Sequence, residues 1–244
     1  AHTQVRWRRP QLVRIPADVL QAGRNTLQMR IVTRDTHTVL PELAFGAAAA
    51  LQPAFDQRYL ADYSGAQFSA IAAALVAIFM IGIWWFRRTE WLFLLFGLTC
   101  LFWALRTMTY LVEVVPWIWW WPWRALYLVW TGGFALSIAA FFLSYTRRLR
   151  RRWRVSLVAY ALVGPVLLVV SNGALEGIVS SWWIAGLFVL ELYVLWTFVA
   201  WLRLHPSLEA FGLAAAAGLT FLMGANDFAV NQGWMPYANA YALH

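Results

Sequence analysis

Residues 68–86, FSAIAAALVAIFMIGIWWF, form an uninterrupted apolar run of the length that crosses a lipid bilayer. A helix of about 20 such residues spans a hydrocarbon core roughly 30 Å thick. Five more apolar runs follow, at residues 91–112, 125–145, 155–170, 178–202 and 208–230. The sequence therefore predicts a mainly α-helical polytopic membrane protein, with six transmembrane helices in a bundle at residues 63–244.

The composition agrees with a protein that lies in a lipid bilayer. Hydrophobic residues make up 62% of the chain and charged residues 12%, whereas charged residues make up about 25% of a typical soluble domain. All 19 basic residues are arginine, and the formal net charge is +8. A basic chain can bind nucleic acid, but arginines in short loops between apolar runs are better explained by membrane topology. We therefore expect no nucleic-acid partner.

Nine of the 19 arginines lie in three loops that alternate along the chain. The first two loops contain Arg87, Arg88, Arg147, Arg148, Arg150, Arg151, Arg152 and Arg154, and the third contains Arg203. Short arginine-rich loops stay on the cytoplasmic side during insertion. The first helix is therefore predicted to run from outside to inside, which places residues 1–62 and the loop at 117–123 outside the cytoplasm.

The exported segment has the pattern of short β-strands. Residues 26–32 alternate polar and apolar side chains, which is typical of a half-buried strand, and residues 11–15 and 42–45 are two further candidates. Three short strands are too few for a sandwich of about seven strands. Residues 1–62 are therefore predicted to be the tail of a larger β-sandwich domain.

Two stretches of sequence resemble a known receptor family. Residues 15–31, IPADVLQAGRNTLQMRI, followed by LPELAFG and FDQRY, resemble the last strands of the extracytoplasmic jelly-roll domain of bacterial seven-transmembrane receptors with diverse intracellular signalling modules. The stretch NDFAVNQGWMP at residues 226–236 is similar to the region before the seventh helix of those receptors. Residues 241–243 read like the start of that helix, and no signal segment precedes the exported residues, so we expect the protein to extend beyond both ends of this sequence.

The resemblance implies a function as well as a fold. It implies a receptor in the bacterial inner membrane that senses carbohydrate or another small extracellular effector. It also implies a cytoplasmic histidine kinase or diguanylate cyclase after the seventh helix, and it is compatible with a homodimer. The alternative from the sequence is a small-molecule transporter or channel, in which polar residues within the membrane would line a pathway.

Catalytic and metal-binding patterns are scarce in this sequence. The four histidines are scattered and lack metal-ligand spacing, and Cys100 is the single cysteine. The chain contains no phosphate-binding loop, no nucleophile elbow and no kinase signature. We therefore predict no enzyme, no cofactor and no metal site.

Arg106, Glu191 and Asp227 are ionisable residues that fall within the predicted membrane spans. A charged side chain costs at least about 2.5 kcal/mol at the bilayer centre and usually faces protein or a wet cavity. Arg106 and Asp227 should lie near the outer ends of their helices, where they either pair or extend to the interface. Glu191 should lie deeper, out of direct reach of Arg106, and is predicted to act as a switch or anchor inside the bundle.

Tryptophan is concentrated at the outer side of the predicted bundle. Trp117, Trp120 and Trp121 belong to the WIWWWPW stretch, and Trp182 and Trp183 begin the fifth helix. Tryptophan rings favour the headgroup region, so an interfacial belt explains them. The other interpretation is a platform on which a sugar or an apolar effector stacks.

Overall fold

The computed structural model describes residues 2–4, 10–28, 43–112 and 114–231, with the backbone alone at 2–4, 62, 110, 151, 152, 227, 230 and 231. Eight helices are present in these ranges: α1 Ala48–Tyr59, α2 Gly65–Phe86, α3 Trp91–Met108, α4 Trp120–Tyr145, α5 Arg151–Val170, α6 Glu176–Ile178, α7 Ile184–Leu202 and α8 Leu208–Asn231. Two short strands are β1 His2–Gln4 and β2 Val114–Pro116.

The prediction of six transmembrane helices is confirmed. Within the described ranges, six helical segments are long and apolar enough to cross a membrane: Gly65–Phe86, Trp91–Met108, Trp117–Tyr145, Trp153–Val170, Glu176–Leu202 and Leu208–Asn226. Large apolar side chains on their outer surfaces stay exposed in the isolated chain, for example Phe79. Such a surface is stable against lipid rather than water.

The first transmembrane helix is much longer than the membrane requires. Helix α1 continues through a π-helical turn at Leu60–Ser64 into α2 without a break. At about 1.5 Å per residue, the continuous helix from Ala48 to Phe86 is roughly 58 Å long, and none of the residues of α1 is buried. About half of this helix therefore projects from the bundle, and the domain boundary predicted at residue 62 falls inside it.

The predicted β-sandwich strands are not present in the described part of the N-terminal segment. Residues 11–15, 26–28 and 43–45 are irregular, and a single 3₁₀ turn occupies Ala17–Val19. The remainder of the predicted strands, at residues 29–32 and 42, lies outside the described residues. The strand prediction at 11–15 is wrong, because among the described residues no strand lies beside this stretch and Val13 is exposed.

The N-terminal strand instead pairs with a loop of the bundle. Strand β1 runs antiparallel to β2, with His2 opposite Pro116 and Gln4 opposite Val114. Strand β2 lies between α3 and α4, so the pairing brings the start of the chain to that end of the bundle. This is the end to which the topology prediction assigns both segments.

Helix α4 lies at the centre of the bundle and contacts α3, α5 and α7, while α7 contacts α8. Small residues on α4 allow this close approach. A Cβ atom at Gly133 would lie 2.7 Å from the Phe102 ring, and one at Gly132 would lie 3.2 Å from both Ala161 and Trp183. These two glycines therefore allow α4 to pack closely against the helices on either side of it.

Candidate functional site

Arg106 is held between α3 and α4 by aromatic side chains. It lies in the last turn of α3, and its guanidinium carbon is 5.1 Å from the centre of the Trp103 ring and 5.7 Å from that of Tyr127. The Nη2 atom of Arg106 donates a hydrogen bond to the Tyr127 hydroxyl at 3.5 Å. Cation–π contacts favour a guanidinium over these ring faces, so Arg106 is fixed within the bundle.

Glu191 lines a small cavity formed by α4, α7 and α8. The cavity has a volume of about 30 Å³, which holds one or two water molecules because each needs roughly 10–15 Å³. Its lining residues are Ile138, Ala139, Phe142, Glu191, Val194, Leu195, Phe198, Ala217, Thr220 and Phe221. Glu191 is the one carboxylate in this lining. The Thr220 hydroxyl donates to the Ala216 carbonyl of its own helix and keeps acceptor capacity for water.

Arg106 and Glu191 are opposite charges on different helices of the bundle. The positive charge of Arg106 attracts the Glu191 carboxylate, although the two described side chains form no direct ion pair. The sequence-based expectation placed Glu191 out of direct reach of Arg106. Direct contact is indeed not made, but charges interact over longer distances where the dielectric constant is low. Arg106 on α3 and Glu191 on α7 are therefore opposite charges of one bundle that do not touch.

Two further polar residues lie near the end of α8. The backbone of Asp227 is helical, but its side chain is outside the described part of the structure. The pair between Arg106 and Asp227 therefore stays a prediction. The preceding residue, Asn226, buries its side-chain Nδ2 atom without a hydrogen-bond partner among the described residues. A buried amide of this kind favours a nearby water or a polar ligand.

The outer tryptophans fall into exposed and packed groups. Trp120 stacks on Trp123 with ring centres 5.6 Å apart, and Trp121 covers Gly173, whose φ of +84° favours glycine. Trp117 and Trp182 have 58% and 77% of their surface exposed. These two exposed rings can contact lipid headgroups at the membrane interface or stack on an effector.

Trp183 has a packing role in this structure. Only 5% of its surface is exposed, and its Nε1 atom donates a hydrogen bond to the Tyr160 carbonyl at 2.8 Å. A Cβ atom at Gly164 would lie 2.5 Å from the Trp183 ring. The ring therefore fills the space between α5 and the start of α7, which leaves it little room to contact an effector.

Sequence reasoning missed an ion pair between two helices at the end of the bundle that carries β2. Arg124 Nη2 lies 3.2 Å from Glu176 Oε1, and about a fifth of each side chain is exposed. Arg124 lies in the second turn of α4, and Glu176 begins α6, which leads into α7. The two residues are 52 positions apart. The one signal in the sequence was that both lie near the start of an apolar run on the same predicted side of the membrane.

The arginines that were assigned to topology lie at one end of the bundle. Arg87 and Arg88 follow α2, Arg203 follows α7, and the densest group covers the loop between α4 and α5 and the first turn of α5. The side chains of Arg151 and Arg152 are outside the described part of the structure. Arg87 pairs with Glu90 at 3.4 Å on the surface, and the Arg88 guanidinium lies 3.9 Å from the centre of the Trp85 ring.

The described residues contain no group of three or more histidine, cysteine, aspartate or glutamate side chains arranged to hold a metal ion. Cys100 is half-buried and unbonded to another cysteine. Comparison of the chain with protein-family models, with curated proteins and with solved structures finds no match.

Proposed function

We propose that this chain is the membrane-embedded sensory input region of a signalling receptor in the bacterial inner membrane. In this proposal an extracellular effector, such as a carbohydrate, binds at the outer side. The bundle then changes its packing, and a cytoplasmic histidine kinase or diguanylate cyclase responds.

The continuous helix from Ala48 to Phe86 is the observation that carries the proposal. A helix is stiff because each turn is hydrogen-bonded to the next. A rotation or tilt at its exposed outer half is therefore passed through the membrane to the arginine-rich end of the bundle. A transporter has no evident need for a stiff helix that projects about 25 Å from its bundle.

Two contacts connect the outer side to the bundle interior. The pairing of β1 with β2 joins the N-terminal segment to the loop before α4. Helix α4 also holds Arg106 through Tyr127, and Arg106 in turn attracts Glu191 on α7. A movement of β2 would therefore alter a charge interaction inside the membrane.

The alternative function is a transporter or channel, and the cavity beside Glu191 is the observation that favours it. Its volume of about 30 Å³ holds water but no larger solute. Helix α5 also continues unbroken past Gly164 and Pro165, whereas transporter sites often lie at interrupted helices. The receptor is therefore the better supported function.

Insertions into the continuous helix test the proposal without knowledge of the effector. Two alanines placed after Ala61 rotate the outer half by about 200°, whereas seven alanines restore the phase to within roughly 20°. In the full-length protein, we expect the short insertion to change the basal output and the long insertion to restore it. Equal output from both would contradict the proposal, as would saturable sugar uptake into proteoliposomes that the short insertion leaves intact.

A further inference from the structure

The loop between α4 and α5 carries arginine side chains without acidic partners. Arg147, Arg148 and Arg150 are exposed in this loop, and Arg154 is exposed one turn into α5. None of these four forms an ion pair with another described side chain. Together with Arg203, they are named here the arginine surface.

The backbone of this loop is held in a defined conformation. Arg147 has a φ of 56°, which reverses the chain at the end of α4. The backbone N–H groups of Arg148 and Leu149 both donate to the Leu143 carbonyl, at 2.7 and 3.1 Å. Leu149 packs against the apolar cluster that includes Leu202 and Ala210 at the same end of the bundle. The backbone of the arginine-bearing loop is therefore fixed beside the end of α7 and the start of α8.

Aromatic side chains indicate the depth of the arginine surface in the bilayer. Tyr145 meets Trp201 edge to face with ring centres 5.3 Å apart, and Trp153 stacks on Tyr193 at 5.8 Å. Tyrosine and tryptophan near helix ends favour the headgroup level of a membrane. The arginine surface begins within one turn of Tyr145, which packs at the end of α7, so this aromatic contact favours a position near the lipid headgroups.

Acidic residues do little to neutralise this end of the bundle. Those in its described loops and helix ends are Glu90, which pairs with Arg87, and Glu209 in the first turn of α8. A guanidinium binds phosphate oxygens through two parallel hydrogen bonds, and its rigid plane suits this geometry better than an ammonium does. The surface therefore combines a surplus of positive charge with donors suited to phosphate.

We propose that the arginine surface binds the phosphate headgroups of anionic phospholipids in the adjoining leaflet. This role differs from the effect of the same charges on membrane insertion, because it operates in the folded protein and depends on the composition of that leaflet. An anionic lipid bound there would bridge the α4–α5 loop to the end of α7 through Arg203. The leaflet composition would then set how firmly these two helix ends are held together.

Spin-labelled lipids provide the test. The full chain is reconstituted in phosphatidylcholine bilayers, and electron paramagnetic resonance measures the association of spin-labelled phosphatidylglycerol relative to phosphatidylcholine. We expect phosphatidylglycerol to be preferred, and the preference to fall by roughly fivefold in the variant R147Q/R148Q/R150Q, which is about the contribution of one arginine near an anionic surface. Equal association of the two lipids with the unaltered protein would overturn the proposal, as would an unchanged preference in the glutamine variant.

Two controls keep the result interpretable if the glutamine variant inserts poorly. The variant R147K/R148K/R150K keeps the charge that directs insertion, and we expect it to retain a reduced preference because lysine lacks the planar fork. The variant R14Q/R24Q removes two charges from the N-terminal segment and should leave the preference unchanged. A preference that inorganic phosphate removes, but chloride of equal ionic strength does not, would reassign the surface to free phosphate.

Discussion

Tyr160 and Trp183 exchange two hydrogen bonds between α5 and the π-helical turn Val179–Trp183. The Tyr160 hydroxyl donates to the Trp183 carbonyl at 2.9 Å, and the Trp183 Nε1 atom donates to the Tyr160 carbonyl at 2.8 Å. Their rings stack with centres 6.5 Å apart. A π-helical turn disturbs the regular helical hydrogen bonds, so a side-chain donor can satisfy a carbonyl there. This reciprocal pair fixes the fourth transmembrane helix to the start of the fifth.

Removal of the Tyr160 hydroxyl should weaken this pair while the ring packing stays in place. We expect Tyr160→Phe to lower the free energy of unfolding by about 0.5–1.5 kcal/mol, which is the usual net value of such a hydrogen bond. Unfolding in mixed micelles with sodium dodecyl sulfate, followed by circular dichroism, measures the change. An unaltered unfolding curve would show that the hydroxyl contributes nothing to stability.

Gly164 provides a separate test of the same contact between helices. A Cβ atom at Gly164 would lie 2.5 Å from the Trp183 ring, whereas nothing lies within 4 Å of a Cβ atom at Gly212. We expect Gly164→Ala to destabilise the bundle by about 1–3 kcal/mol, as overpacked sites do, and the control Gly212→Ala to have no such cost. Comparable stability of the two variants in the same unfolding assay would contradict the packing at Gly164.

The ion pair between Arg124 and Glu176 should show coupling in a double-mutant cycle. Arg124→Glu alone and Glu176→Arg alone each place like charges together at the outer ends of α4 and α6. We expect the double exchange to recover about 1 kcal/mol of the combined loss, because the pair is mostly shielded from solvent. Thermal unfolding of the four proteins in detergent measures the coupling. Strictly additive losses would mean that the two side chains do not interact in solution.

The transmembrane helices could be predicted from the sequence because their signal is local. Each run contains enough consecutive apolar residues to be recognised without knowledge of its neighbours. The run at 91–112 was placed to within a few residues of the observed span, Trp91–Met108. The long projecting helix was not predicted, because residues 48–64 contain polar side chains and Pro53, which do not indicate a helix of that length.

The contacts that form the candidate site depend on how the helices pack together. Counting residues along each helix predicts that Arg106 and Glu191 differ in depth by about 11 Å. Such a count includes neither the length of the arginine side chain nor the rotation of each helix about its axis. The contact between Trp183 and Tyr160 could not be predicted either, because the two residues are 23 positions apart and Trp183 lies in a π-helical turn.

The alternation of polar and apolar residues near the N-terminus predicted strands. Such a pattern does not show whether neighbouring strands are present to form a sheet.

The topology can be tested by labelling in intact cells. In a background in which Cys100 is replaced by serine, single cysteines are placed at Arg150 and at Ile118, which is 80% exposed. The distribution of arginine predicts that a membrane-impermeant maleimide reaches position 118 and does not reach position 150 until the membrane is permeabilised. Labelling at 150 in intact cells would reverse the assigned orientation.

Glu191 is predicted to act as a switch or anchor inside the bundle. Glu191→Gln keeps a polar group in the cavity beside Thr220 but loses the attraction to Arg106, whereas Glu191→Leu also removes the polar group from the cavity. We expect the glutamine variant to fold and retain a response of the full-length receptor. The leucine variant should lock or abolish the response, because a polar partner left unsatisfied inside the bundle costs about 1–3 kcal/mol.

Expression, thermal stability and receptor output are measured together for both Glu191 variants. Leu192→Met is the matched control, since Leu192 lies on the same helix and more than half of its surface is exposed. This control should match the unaltered protein in all three measurements. If leucine at position 191 is tolerated as well as glutamine in stability and in output, Glu191 has no role as a switch, and the attraction between α3 and α7 does not control the state of the bundle.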